Sequence, residues 1–303
     1  PAYVLMAVSG LGQQRRATAI GFIAVLLWAL LALFTAATGQ VPPLQLAAMT
    51  FGIAFMLAMG KWLLYGENII GHLRQRPVVW AVGVGGLFGY HFFYFLALRN
   101  APAVEASLIA YLWPLLIVLF SALLPGERLR WWHVAGAVTG LAGAAVLILA
   151  GQDFAQPIQL MPGHFAAMAC ALLWSGYSIL SRRLGDVPTD AVGGFCGLTA
   201  LLALLAHLVF EDTIWPQDSW QWLAVAGLGL GPVGLAFFCW DHGVKRGHIQ
   251  ALGASSYAAP LLSTLVLILF GFAGLTWAVA AACLLITGGA VLASIDLLRA
   301  SKR

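Results

Sequence analysis

Ten apolar runs separated by short polar turns carry almost the whole chain. They lie at about 17–37, 43–65, 78–98, 103–124, 130–150, 162–182, 190–210, 219–241, 248–270 and 274–297. Each is long enough, as a helix rising about 1.5 Å per residue, to cross the roughly 30 Å hydrocarbon core of a bilayer. The short alternating segments of a membrane β-barrel are absent. The connectors carry Pro, Gly and charge, as in Gln40-Val-Pro-Pro, Gly66-Glu-Asn, Arg99-Asn-Ala-Pro and Gly185-Asp-Val-Pro. The pattern predicts an all-α polytopic membrane protein of ten transmembrane helices without an extramembrane domain. Residues 1–16 read as an N-terminal tail and residues 298–303 as a C-terminal one.

The pattern also repeats. One ungapped shift of 146 residues lays Leu26-Leu-Trp28 on Leu172-Leu-Trp174 and Gly83-Val-Gly85 on Gly229-Leu-Gly231. It also lays Tyr111 on Tyr257, Pro114-Leu-Leu116 on Pro260-Leu-Leu262 and Gly143-Ala144 on Gly289-Ala290. The chain therefore divides into two repeats, 17–150 and 162–297. Each holds five helices, an odd number, so the second crosses the membrane in the opposite sense. Inverted repeats of this kind typify carriers that alternate access around a site at the repeat interface.

Composition and charge fit this frame. The 303 residues are 62% hydrophobic and 9% charged, against roughly 25% charged in soluble domains. With the N-terminus inside, fourteen of the fifteen Lys and Arg residues fall on the inner side and only Arg99 outside. Asp153, Glu211, Asp212 and Asp218 fall in outer loops. That is the positive-inside bias, and it places both termini in the cytoplasm. The net charge of +4 thus reflects topology, and no nucleic-acid partner is implied. Cys170, Cys196, Cys239 and Cys283 lie singly in apolar runs and read as small buried hydrophobes, with no metal site. The basic pair Arg15 and Arg16 follows the apolar patch of residues 1–14, the reverse of a signal peptide.

Candidate chemistry gathers near two mid-run prolines, Pro114 and Pro260. Each removes a helical hydrogen bond and frees the carbonyl four residues earlier, on Ala110 and Ser256. Such a carbonyl is tolerated in lipid only against protein or a wet cavity. Pro114 and Pro260 are therefore candidate hinges, one per repeat. Tyr111, Trp113, Ser255, Ser256 and Tyr257 are candidate cavity lining, with aromatic faces for stacking and hydroxyls for polar groups. Their alternative is bundle packing or an interfacial belt. Ser107 and Gly253, again 146 apart, allow close helix approach.

A second set is Tyr90, His91 and Tyr94. An intramembrane histidine is a functional candidate; the alternative is a neutral ring bonded to a nearby Tyr or carbonyl. His207, near an outer helix end, is the poorer candidate. Trp28 and Trp174 repeat symmetrically and suit shared packing, although Trp174 has Ser175, Tyr177 and Ser178 for company. The glycines at 83, 85, 86, 89, 227, 229, 231 and 234 read as helix contacts, since no Lys-Ser/Thr follows as in a phosphate loop. Glu105 is the one acid read as intramembrane, and no Lys or Arg is read at mid-membrane. A neutral or zwitterionic guest remains.

Ten helices in two units, both termini inside, and a Pro125-Gly-Glu-Arg128 turn after the fourth helix resemble the drug/metabolite transporter superfamily, EamA type, over about residues 17–297. The core around Tyr90-His91, Tyr111-Leu-Trp-Pro114 and Ser255-Ser-Tyr257 is similar to that of its aromatic amino-acid exporters. Phe272-Ala-Gly-Leu departs from the pattern where the second Gly-Glu turn would stand. The resemblance implies a bacterial inner-membrane exporter of aromatic amino acids, monomeric, without cofactor, working by facilitated alternating access. His91 keeps proton coupling open. The guest is expected between the third, fourth, eighth and ninth helices, on Tyr111 and Trp113, its polar end meeting His91, Ser255 and Ser256. A carrier of other metabolites or cationic drugs is the alternative. An intramembrane enzyme lacks HExxH, GxSxG or paired aspartates, so no catalytic residue is expected.

Overall fold

A computed structural model of the chain describes residues 2–150, 160–271 and 274–300. Among them all regular structure is helical. Among the described residues nine helices are long and apolar enough to span a membrane: α1 Gly12–Ala37, α2 Pro43–Leu64, α3 Pro77–Asn100, α4 Ala103–Leu123, α5 Trp131–Leu149, α6 Pro162–Arg183, α7 Ala191–Phe210, α8 Ser219–Arg246 and α9 Ile249–Leu269. The shorter apolar α10, Trp277–Ala293, completes ten. The tail expected over residues 1–16 is instead helical from Ala2 onward and is continuous with α1. Asp153, Phe272-Ala273, Lys302 and Arg303 lie outside the described residues.

Helix starts follow elementary chemistry. Pro43, Pro77 and Pro162 occupy first-turn positions, where a missing N–H costs nothing. Asp218 and Thr276 accept a first-turn N–H at the starts of α8 and α10. Met56, Leu204, Leu208, Trp220 and Leu284 are exposed and form part of the lipid-facing surface. Cys170, Cys196 and Cys239 are buried as expected, but Cys283 is exposed, a difference that follows from its place on the outer face of α10.

The packing has a two-fold pattern. α5 packs on α10, α2 on α7 and α4 on α9, each helix meeting its own repeat counterpart. The α1–α8 contact is matched by α6–α3, and α1–α9 by α6–α4. Exchanging each helix with the one five places on thus preserves these contacts, although α5 also packs on α9 where, among the described residues, α10 makes no matching contact of that size with α4. Close backbone approach is built from small residues. A Cβ on Gly243 would lie 2.5 Å from the Gly21 Cα, between α8 and α1, and one on Gly289 would lie 2.5 Å from the Gly136 carbonyl, between α10 and α5.

The two ends carry different polar clusters. At the Arg99 end, the Glu211 carboxylate accepts from the backbone N–H of Leu44 (3.1 Å) and Gln45 (3.2 Å), capping α2. His207 holds it at 3.0 Å and Arg99 at 3.4 Å. Glu105 pairs with His164 at 2.7 Å. At the basic end, Arg182 of α6 pairs with Glu127. It also donates to the carbonyls of Val244 and Gly247, each at 2.8 Å. The Gln250 amide of α9 donates to Glu127 at 3.0 Å. Gly126, at φ +81°, makes the turn that presents Glu127. This one cluster joins the α4–α5 turn to α6, α8 and α9, so it ties the repeats together.

Candidate functional site

Four tryptophans from four helices meet at the centre of the bundle. Trp28 (α1), Trp113 (α4), Trp174 (α6) and Trp240 (α8) touch in all six pairings, with ring centroids 5.2–6.2 Å apart. Most pairs are tilted or edge-to-face, while Trp174 and Trp240 stack at 25°. Phe237 adds a ring 5.6 Å from Trp174, and Tyr90 one at 5.5 Å. Two indoles are anchored. Trp28 donates to the Pro232 carbonyl (3.1 Å) and Trp240 to the Ser178 hydroxyl (3.0 Å). Trp113 and Trp174 donate to no acceptor among the described residues, which leaves two indole donors unused.

The backbone beside this cluster is irregular twice. α3 carries a π-helical turn at Gly85–Gly89 and α8 one at Gly231–Leu235, and their starts are 146 residues apart. Such turns widen a helix, leave carbonyls free of the regular ladder and gather at functional sites. Each here has an aromatic N–H on a carbonyl. His91 Nδ1 donates to Leu87 at 2.7 Å, and Trp28 takes Pro232. The neutral, carbonyl-bonded alternative for His91 therefore describes its Nδ1; the proton there leaves Nε2 as an acceptor. Its ring sits 5.0 Å from Phe51 and 5.3 Å from Tyr90. Tyr90 stacks on Tyr94 at 6.0 Å, and Tyr111 neighbours Tyr94. These four residues keep partial exposure.

The structure thus brings Tyr90, His91, Tyr94, Tyr111, Trp113 and Trp174 into one region. It does not bring the α9 hydroxyls there. The Ser256 hydroxyl is fully buried and donates to the Leu252 carbonyl (2.7 Å) within its own helix. The Ser256 carbonyl, expected to be free, accepts from Ala259 N–H (3.1 Å) because the backbone tightens at Ser256 and Tyr257. Ser255 lines a separate groove with Arg15, Thr18, Phe22 and Leu297. Tyr257 is fully buried, and its hydroxyl accepts from Leu115 N–H at 3.1 Å. Leu115 is the first donor after Pro114, so Tyr257 of one repeat repairs the proline break of the other. Both breaks exist, but they fall at Tyr111-Leu112 and Ser256-Tyr257, just before Pro114 and Pro260.

Some residues of the region were not anticipated. Trp240 and Phe237 carry a signal in hindsight, since the 146-residue shift lays them on Tyr94 and His91. Asp241 is fully buried inside α8, so Glu105 is not the sole intramembrane acid. His207 belongs to the Glu211 cap. A metal-like trio, His133, His248 and Asp296, is better read as hydrogen bonded. Both imidazoles accept a backbone N–H at Nδ1, which puts the proton on Nε2 and removes the lone pair a metal needs. Burial and the neighbouring His133 push His248 below the ordinary histidine range.

A ten-helix bundle of two interleaved repeats, with paired helix irregularities around a central aromatic cluster, defines a membrane transporter. The chain matches the EamA-like transporter family twice, over residues 16–149 and 161–295, and belongs to it. It is 56% identical over 286 residues to the aromatic amino acid exporter YddG of Ancylobacter novellus, covering 93% of this chain and 98% of that one. The protein of the same name from Escherichia coli is 25% identical over 296 residues, 92% of this chain and 97% of that one. A crystal structure 54% identical in sequence superposes with a TM-score of 0.88, over 94% of this chain and 99% of that one.

Proposed function

We propose that the protein exports aromatic amino acids across the bacterial inner membrane by facilitated alternating access, as a monomer with its basic face in the cytoplasm. The four-tryptophan cluster carries this reading, because it offers stacking faces and two unused indole donors where the repeats meet. Identity with a relative named for this activity supports it. A guest ring would lie against Trp113 and Trp174. His91 Nε2 would accept from the ammonium group, and the hydroxyls of Tyr90, Tyr94 and Tyr111 would donate to the carboxylate. Two domains, 17–150 and 162–297, would rock about the breaks before Pro114 and Pro260. The Arg182–Glu127–Gln250 cluster would hold the cytoplasmic end shut in this conformation, and partial exposure of Tyr94 and Tyr111 supports reading the other end as the open one.

The test is counterflow of labelled phenylalanine in proteoliposomes, with and without a pH gradient. Exchange is expected in both conditions, reduced at least about tenfold by His91→Ala and by Trp113→Ala, in line with loss of 1.4 kcal/mol or more of guest contacts. Unchanged flux in both variants would overturn the site, and acceleration by the gradient would overturn the facilitative mode.

A further inference from the structure

Asp241 is the most deeply buried acid among the described residues, with no exposed surface inside α8. Its two oxygens are treated unequally. Lys245 binds Oδ2 at 2.8 Å and Thr189 donates to the same oxygen at 2.8 Å. The Lys245 ammonium is held further by the Val187 carbonyl at 2.9 Å. Oδ1 has no donor among the described residues. An ionised carboxylate accepts up to about four hydrogen bonds, and a buried oxygen left without one is costly. A second orphan stands beside it. The Tyr177 hydroxyl of α6 stands beside Asp241 and Ser181 and is also buried, with no contact of hydrogen-bond geometry to either.

Both residues adjoin the aromatic cluster on its cytoplasmic side. Asp241 follows Trp240 in α8, and the Tyr177 ring lies 5.2 Å from that of Trp174. The outer region around His91, Tyr90 and Tyr94 supplies neutral groups and π faces but no negative charge. We propose that Asp241 Oδ1 and the Tyr177 hydroxyl form a second subsite, which takes the primary ammonium group of a substrate arriving from the cytoplasm while its ring rests on Trp174 and Trp240. Oδ1 accepts one N–H bond from the ammonium, and the phenol oxygen accepts another. Lys245 stays on Oδ2 throughout, so the subsite carries no net charge when empty and one positive charge when filled. This inference rests on the aromatic amino-acid reading for its physiological guest, but an aromatic amine is enough to test it.

The experiment titrates the solubilised full-length protein with phenethylamine and with 3-phenylpropionate, read by tryptophan fluorescence, beside phenylalanine counterflow. Asp241→Asn is expected to weaken phenethylamine binding at least about tenfold, as loss of a charge-assisted bond requires, and to leave 3-phenylpropionate binding within about twofold. Tyr177→Phe, which keeps the ring, is expected to weaken phenethylamine by a smaller factor and serves if Asp241→Asn does not fold. Unaltered phenethylamine affinity in a folded variant overturns the subsite and leaves Oδ1 to a bound water. So does an equal loss of both ligands, which marks a structural ion pair. A wild-type protein that does not bind phenethylamine overturns it too. Selective loss of the amine with no wild-type phenylalanine exchange would instead retain the subsite and overturn the aromatic amino-acid reading.

Discussion

Tyr257→Phe separates a structural role from a substrate role at one atom. The substitution keeps the buried ring and deletes only the hydroxyl that accepts from Leu115 N–H at 3.1 Å. Pro114 has no N–H and no other acceptor among the described residues meets Leu115 in its place, so the variant leaves a backbone donor unpaired between α4 and α9. An orphaned buried donor costs about 1–3 kcal/mol in proteins generally. Hydrogen bonds between membrane helices run lower, about 0.6 kcal/mol on average and up to about 1.7. A loss of about 0.6–2 kcal/mol follows, which corresponds to a fall of roughly 1–3 °C in Tm for a chain of this size. The assay is thermal unfolding in detergent micelles, paired with phenylalanine KM in proteoliposomes. The expected result is a lower Tm with KM within about twofold. An unchanged Tm with KM raised tenfold would refute the reasoning and return Tyr257 to the substrate cavity.

Two further predictions rest on packing and charge. Glu127→Gln removes one member of the partly buried Arg182 pair at the basic end; charge-assisted bonds contribute about 1.5–3 kcal/mol. The basic end should open at least about tenfold more often, read as faster alkylation of a cysteine introduced at Ser181, and an unchanged rate would dismiss the cluster as a latch. Gly243→Val should destabilise by about 1–3 kcal/mol, because its side chain meets the Gly21 backbone across α1 and α8. Gly176→Ala, where nothing lies within 4 Å, should instead stabilise by up to about 1 kcal/mol through helix propensity; equal effects at both positions would contradict the described contact.

Much of the architecture was legible in one dimension. Lipid forces every spanning segment to satisfy its own backbone, so length and apolarity alone announce the helices. The 146-residue shift announced the repeats, since helices that exchange places must carry matching small and aromatic positions such as Gly85 and Gly231. His91 and Trp113 could be singled out because polar or amphipathic groups at mid-run need a reason. The hydroxyls of Ser255, Ser256 and Tyr257 were misplaced for a physical cause. A serine or tyrosine next to a helix break can turn to a guest, to its own helix or to a neighbour, and adjacency to Pro260 does not choose among them.

The chain alone therefore dictated ten helices, two repeats and a basic face, because each depends on periodicity and composition. Only the tertiary structure decided which aromatic residues meet. Trp28, Trp113, Trp174 and Trp240 come from four helices; the Gly21–Gly243 contact fixes how α1 meets α8, and the π-turn of α8 shifts the face that carries Trp240, neither of which sequence spacing reports. It also decided that Asp241 is buried with one oxygen unpaired among the described residues, since burial near a helix end depends on what the facing segments place there. Here that is Tyr177 and Thr189, each more than fifty residues away along the chain.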